Sequence, residues 1–574
     1  MILPLAAAAP ATGPASDPRD VSNGHVIPDE GYCDQPYVVV RPDGAWVCTM
    51  TTGKGHEGQL GQHVVATISK DQGRTWSPLI DIEPADGPEA SWVVPLVTPS
   101  GRIYAFYDYN GDRVDTLGAK KGIRADMLGW YVYKYSDDGG LTWSQERHRL
   151  PVRVTACDRA NDWGGQVQIF WGICKPIVSR GDVFFSFTKL GRYMLDKGEG
   201  WLFASDDVLI ESDPAQIHWE MLPEGEHGIR AEEFGSVQEE HNLVELANGD
   251  LYCMYRTTTG YPCHSYSRDR GRTWSQPVHA TYTPGGRRMK NPRACPRIWR
   301  TSKGRYLFWF HNHSGLDFNG RNPAWIAGGI ERNGHIEWSQ PEILLYEADP
   351  KTRMSYPDLV EQDGRYWITE TQKEVARVHE IDPGLLEGLW SQGARSQAPT
   401  EGLALTWRSG SPSEPNMPRL PDVSAGGGFS LHLRVRLDEL SPGQILADSR
   451  DAAGRGVVLR TTDKGTVAIE FGDANTRASW DCDPGVLKAG RTHDLTAIVD
   501  GGPKIITFVV DGMLCDGGET RQYGWGRFAD HLSDINGSAR LRIAPELKGT
   551  VEDLRVYTRY LRTSEAIALA QSKQ

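Results

Sequence analysis

Ser69-Lys-Asp71-Gln-Gly73-Arg-Thr75-Trp76 is the stretch that decides the fold, because it recurs twice. The other copies are Ser136-Asp-Asp138-Gly-Gly140-Leu-Thr142-Trp143 and Ser267-Arg-Asp269-Arg-Gly271-Arg-Thr273-Trp274. Each reads S-x-D-x-G-x-T-W. The pattern encodes a tight hairpin: the Asp carboxylate accepts backbone N–H groups inside the turn, the Gly supplies a positive φ, and the Trp pins the turn to the sheet beside it. Three copies in one chain indicate a repeat architecture. They speak to fold and not to chemistry.

A larger unit repeats around these boxes. A short apolar strand turns at a Gly into a second apolar strand, as in Tyr37-Val-Val-Val then Gly44, and Val93-Val-Pro-Leu-Val then Gly101. The same unit recurs at Pro176-Ile-Val then Gly181, Leu243-Val-Glu-Leu then Gly249, Arg297-Ile-Trp then Gly304, and Asp358-Leu-Val then Gly364. A third strand often ends at a Trp: Trp76, Trp143, Trp219, Trp274 or Trp338. The period is about 65 residues, which suits a four-stranded unit with a long loop.

The box resembles the Asp-box of the sialidase (neuraminidase) superfamily. That resemblance implies an all-β chain with a six-bladed β-propeller over residues 21–396, a seventh blade being the alternative. Residues 397–421 read as a linker rich in Ser, Pro and Gly. Beyond it, residues 422–574 alternate apolar and polar positions, as in Phe429-Ser-Leu-His-Leu-Arg-Val-Arg-Leu and Lys504-Ile-Ile-Thr-Phe-Val-Val. Period-2 alternation predicts a β-sandwich, and the segment order resembles a laminin-G/concanavalin-like jelly roll, expected either to bind glycan or to buttress the propeller. Residues 1–20 read as a leader remnant. Their apolar start, Met1-Ile-Leu-Pro-Leu-Ala, predicts a secreted or periplasmic protein.

A net charge of −13 argues against nucleic-acid binding. Nineteen Trp and 21 Tyr suit sugar handling, since aromatic faces stack on pyranose rings. The nine Cys are scattered without a C-x-x-C pair, so zinc ribbons and redox motifs are not expected. One or two disulfides are compatible with the count, with at least one free thiol. No run of 18 apolar residues predicts a membrane span. Neither a metal nor a cofactor is called for.

In a propeller the start of each blade's first strand faces the ligand. Those positions hold Asp34 and Gln35, Ser91 and Trp92, Lys175, Glu240 with His241 and Asn242, Arg293, and Tyr356. The superfamily holds a substrate carboxylate with three arginines and uses a Tyr nucleophile activated by a Glu. The resemblance puts the nucleophile at Tyr356, its partner at Glu240, and two arginines at Arg256 and Arg293. The first-blade arginine is absent, Asp34-Gln35-Pro36 standing in its place.

The loop after it, with His56, Glu57 and His63, offers histidines instead. Some sialidase-like propellers are lyases or hydrolases acting at rhamnose–glucuronate linkages, where a His serves as base or acid. His63 and His241 are the candidates for that role. His311 and His313, two apart after an apolar strand, read as sugar-contacting residues, with metal ligands or ordinary turn residues as the alternatives. The run Arg287-Arg288-Met-Lys290 is expected to draw an anionic substrate, and Glu370 to His379 to rim the mouth. The function expected is hydrolysis at the end of an acidic oligosaccharide or polysaccharide. Lyase chemistry and non-catalytic glycan binding are the alternatives.

Overall fold

The computed structural model describes residues 17–114, 124–191, 196–394 and 397–572. The apolar start Met1–Ala11 lies outside them. The chain is all-β, with helices confined to short pieces such as Pro383–Trp390 and Thr563–Gln571. Six antiparallel sheets of four or five strands follow one another. Their opening strands are Tyr32–Val40, Ala90–Val97, Ile169–Trp171 with Ile177–Ser179, Gln238–Glu245, Arg297–Arg300 and Ser355–Gln362. All six predicted strand–Gly–strand hairpins are present. The sixth sheet is completed by His25–Ile27, which pairs with Ala376–Glu380 and so ties the start of the described chain to its last repeat.

The boxes hold neighbouring sheets together. In the first, Ser69 Oγ donates to Asp71 (2.9 Å), Gly73 N donates to Ser69 Oγ (2.8 Å), and Thr75 donates to Asp71 through N (2.9 Å) and Oγ1 (2.6 Å). The other two boxes repeat this net. Gly73 has φ +82°, and a Cβ there would sit 2.8 Å from Val378 of the sixth sheet, so the turn wedges between sheets one and six. Those two sheets also share a Trp46–Trp367 edge contact at 5.1 Å. The degenerate box ending at Trp219 keeps its Ser205–Asp207 bond at 2.9 Å.

After the sixth sheet come two further antiparallel sheets, of seven and five strands, that share one apolar core including Phe429, Leu433, Ile469, Phe471, Phe508 and Leu554. Leu403–Arg408 is an edge strand of the larger sheet, paired with Gly549–Tyr557. The segment read as a linker therefore contributes structure, because its Leu-Ala-Leu-Thr-Trp alternation finds an unpaired strand edge. Arg19, inside the segment read as leader, bonds Asp500 at 2.6 Å. All nine Cys are buried free thiols.

The two regions are packed tightly. One apolar cluster joins Phe308, Phe310 and Trp325 to Ile498, Ile505 and Trp525. Arg287 donates to Leu514 O (2.6 Å), Lys290 donates to Arg521 O (2.7 Å), and Arg288 pairs with Glu519. Arg287, Arg288 and Lys290 thus face the C-terminal region, which corrects the expectation of a substrate-steering patch for them, whereas Arg293, at the end of the same basic run, pairs with Glu239.

Candidate active site

Four of the six opening strands carry the same irregularity at the same place. Register shifts fall between Asp34 and Tyr37, Ser91 and Val94, Glu239 and Asn242, and Ser355 and Asp358. Each bulge holds a non-glycine residue with a left-handed backbone: Gln35 (φ 53°), Trp92 (62°), Glu240 (57°) and Tyr356 (43°). A bulge re-aims a side chain, and left-handed non-glycine residues cost roughly 1–2 kcal/mol each. Threonines of the preceding sheets help hold them: Trp92 N donates to Thr51 Oγ1 (2.9 Å) and Glu240 N to Thr188 Oγ1 (3.0 Å).

Three of the re-aimed side chains, those of Trp92, Glu240 and Tyr356, meet. Tyr356 Oη donates to Glu240 Oε1 at 2.8 Å, and Arg256 Nη1 lies 2.7 Å from the same oxygen. Arg256 also forks onto Glu239 Oε2 through Nε (2.9 Å) and Nη2 (2.8 Å). Burial works against the Arg256 charge, but Glu240 and Glu239 outweigh it and raise its pKa. Burial, reinforced by Glu240, lifts the Tyr356 phenol well above its ordinary value, while Arg256 opposes. The phenol is therefore protonated at rest. Trp92 stands edge-on to Tyr356 at 6.3 Å and stacks on Trp171 at 5.9 Å.

A second set of charges faces this pair. Lys373 Nζ bonds Asp34 Oδ2 (2.6 Å), lies 3.1 Å from Glu57 Oε2, and sits 4.3 Å from the centre of the Tyr356 ring. Burial raises the Asp34 pKa, and Lys373 only partly offsets this. Burial acts on Glu57 in the same sense, but Lys373 and Arg124 win and hold it well below the ordinary carboxylate range. Glu57 is accordingly an anion at neutral pH.

Arg321 completes the group. Its Nη1 donates to Ser355 Oγ (2.7 Å) and its Nη2 to Arg293 O (3.1 Å). Among the described residues it has no carboxylate partner, although it is only 4% exposed. Arg293, by contrast, is paired with Glu239 at 3.3 Å. The free cation beside Tyr356 is Arg321, which no box or strand start signals; its only sequence cue is a place just before Asn322-Pro323. Glu240 Oε2, Arg293 Nε, Arg321 Nε and Trp171 Nε1 are buried without partners among the described residues, a set suited to a polar ligand.

The remaining sequence candidates lie elsewhere. His63 sits on the third strand of the first sheet, 3.5 Å from Asp81 and 4.0 Å from Glu30, and meets none of the Tyr356 group. His241 points into the sheets, bonded to Thr188 Oγ1 (3.0 Å) and Ile229 O (3.1 Å) and stacked on Tyr255. Burial pushes its pKa down to about 3, so it is a neutral core residue. His311 bonds Pro323 O at 3.3 Å. His313 bonds Gly320 O at 2.9 Å and stacks on Tyr523 of the C-terminal region. Gln35 donates to Gly172 O at 3.0 Å. Lys175 is bound to Asp358 (2.6 Å) and Val38 O (2.8 Å), farther along the strands.

Residues 90–368, which include Trp92, Glu240, Arg256, Arg321 and Tyr356, match the model of a BNR repeat-like domain. Solved structures similar to this chain include a Trypanosoma rangeli sialidase in complex with 2,3-difluorosialic acid, described as a covalent intermediate. That structure is 14% identical over 96% of each chain, with a TM-score of 0.45. A Hadza microbial sialidase is 18% identical over 61% of this chain and 66% of its own, with a TM-score of 0.44. A protein of unknown function from Dyadobacter fermentans is 17% identical over 62% and 98%, also at 0.44. No curated protein sequence matches the chain. Asp34, Glu57 and Lys373 fall outside the matched segment of the BNR repeat-like domain.

Proposed function

We propose that this protein is a glycoside hydrolase of sialidase-like design, acting on an acidic sugar at the end of a glycan. The six sheets are read as the blades of a β-propeller with the bulged strand starts at its mouth. The two C-terminal sheets are read as a jelly roll that buttresses it. The observation that carries the reading is the 2.8 Å hydrogen bond from Tyr356 to Glu240 beside Arg321, a buried cation without a carboxylate partner among the described residues. A guanidinium fork is the natural partner of a sugar carboxylate.

In this reading the Tyr356 oxygen adds to the anomeric carbon while its proton passes to Glu240. Asp34, whose proton affinity burial raises, gives a proton to the departing glycosidic oxygen. Water then reverses the sequence and releases the sugar. Export from the cytoplasm belongs to the same proposal and rests on the apolar stretch that begins at Met1.

One observation favours a second reading. Asp34 occupies the place where the resemblance implies an arginine, so the site differs from one built for sialic acid. A lyase acting on a uronate would pass the Tyr356 phenol proton to Glu240, take the proton α to the carboxylate on the resulting phenolate while Asp34 protonates the departing oxygen, and use Arg321 and Arg256 to stabilise the enolate-like charge. The deciding experiment incubates purified protein with sialosides, gum arabic, ulvan and glucuronidated xylan. Products that gain water support hydrolysis, and products with an ultraviolet-absorbing double bond support elimination. Retention of the glycans without any product would overturn both.

A further inference from the structure

A cavity of about 390 Å³ opens at the other end of the same opening strands. Lys175, Glu245, Arg297, Trp299 and Glu361 are among its lining residues. Glu240 and Glu245 share one strand, as do Tyr356 and Glu361. Five residues of strand span roughly 16 Å, so the Glu245 and Glu361 wall of this cavity is separate from the Tyr356 group.

Its charges are nearly all settled. Lys175 is paired with Asp358 at 2.6 Å. Glu245 is held by Ser179 (2.7 Å) and Arg300 (3.1 Å), and Glu361 by the N–H (2.8 Å) and hydroxyl of Ser302. Arg297 is the exception. It is 2% exposed and has no carboxylate partner among the described residues. Its Nη1 donates to Ile173 O at 2.8 Å, its Nε has no partner, and its guanidinium lies over the rings of Tyr37 (4.9 Å) and Trp299 (5.6 Å). Trp299, 8% exposed, adds an indole N–H that is also buried and unpartnered.

A buried cation without a counter-ion is costly, as is each unmet donor. Two such buried donors, on residues that line one open cavity, are an anion's complement. We propose that this cavity is a second ligand site, which takes a small oxyanion, a carboxylate or a phosphate, on Arg297 and Trp299. The proposal goes beyond the reading of the Tyr356 face and stands whether or not that face cleaves glycans.

Titration calorimetry of the whole protein tests it, with inorganic phosphate and free glucuronate as probes. Arg321→Met removes the free cation of the other end, so anion binding that survives in this variant reports the cavity. The expected result is one equivalent bound by Arg321→Met, weakened about tenfold or more by adding Trp299→Phe and abolished by adding Arg297→Met. Trp299→Phe keeps an aromatic ring while removing the indole N–H together with its five-membered ring, so it decides the matter if Arg297→Met does not fold. Phosphate binding alone identifies a free inorganic anion as the occupant; glucuronate binding identifies a sugar acid. If Arg321→Met binds neither probe, or binds them equally well with Trp299→Phe added, the site does not exist.

Discussion

Lys373, on the sixth sheet, is ion-paired with Asp34, on the first, at 2.6 Å across the seam where the last repeat meets the first. The pair answers a question raised by the sequence. Where the sialidase resemblance implies a first-blade arginine, this chain has an acid, and the acid recruits a lysine from the adjoining sheet. Lys373 thereby lies 4.3 Å from the centre of the Tyr356 ring, delivered from the opposite side of the seam.

Tyr356→Phe removes one oxygen and leaves the ring between Trp92 and Lys373. The variant should fold as the parent does and lose kcat by about 100-fold or more, the scale of nucleophilic and acid–base groups. Steady-state rates on the substrate found in the glycan panel check this. Full activity would remove Tyr356 from the chemistry.

Arg321 and Arg293 make different predictions, although they are neighbours. Among the described residues Arg321 has no carboxylate partner, whereas Arg293 is paired with Glu239. Arg321→Lys should lower kcat/KM for an acidic substrate by about 30-fold or more, because an ammonium cannot reproduce a guanidinium fork. Arg293→Lys should cost less. The reverse ranking would assign the substrate carboxylate to Arg293.

Lys373→Gln leaves Asp34 without its cation. An increase in KM of about tenfold is expected for an acidic substrate, with a smaller change for a neutral analogue. Lys373→Arg should restore most of the loss. Equal effects on acidic and neutral substrates would mean that Lys373 only props up Asp34.

Glu89 anchors the loop that carries Glu57, accepting the Gly61 N–H at 3.1 Å. Burial, with Asp126 adding, pushes its pKa up from 4.5 to about 8, while the Gly61 and Gln62 N–H groups and Arg124 oppose. The folded state thus prefers protonated Glu89. Its contribution is complete below about pH 4.5 and is lost as pH rises towards 8, at up to about 1.4 kcal/mol per pH unit. Glu89→Gln should flatten the dependence of unfolding free energy on pH across that window. An unchanged profile in denaturant titrations would show that Glu89 ionises normally.

The boxes should behave as structure alone. Asp138→Ala removes the acceptor of Ser136, Leu141 and Thr142, and should cost about 1–3 kcal/mol of stability with kcat unchanged. A selective loss of activity would contradict that reading.

The sequence alone determined the repeats. The three boxes and the six glycine-turned hairpins are local patterns, set by Asx acceptors, positive φ at Gly and period-2 alternation, so they can be read along the chain. Tyr356 and Glu240 were also legible, because strand starts occupy fixed places in each repeat. Other features were decided only by tertiary structure. The bulges at Gln35, Trp92, Glu240 and Tyr356 place left-handed backbone on residues whose types do not announce it. Arg321 and Lys373 reach the site from loops and a neighbouring sheet, through contacts with Ser355 and with Asp34, 339 residues away in the chain. His63 and His241 are acid–base candidates by residue type, yet one faces Asp81 and Glu30 on the third strand of the first sheet and the other is a neutral core residue. A residue type records what a side chain is able to do; burial, aim and the charges set against it arise only when distant segments pack together.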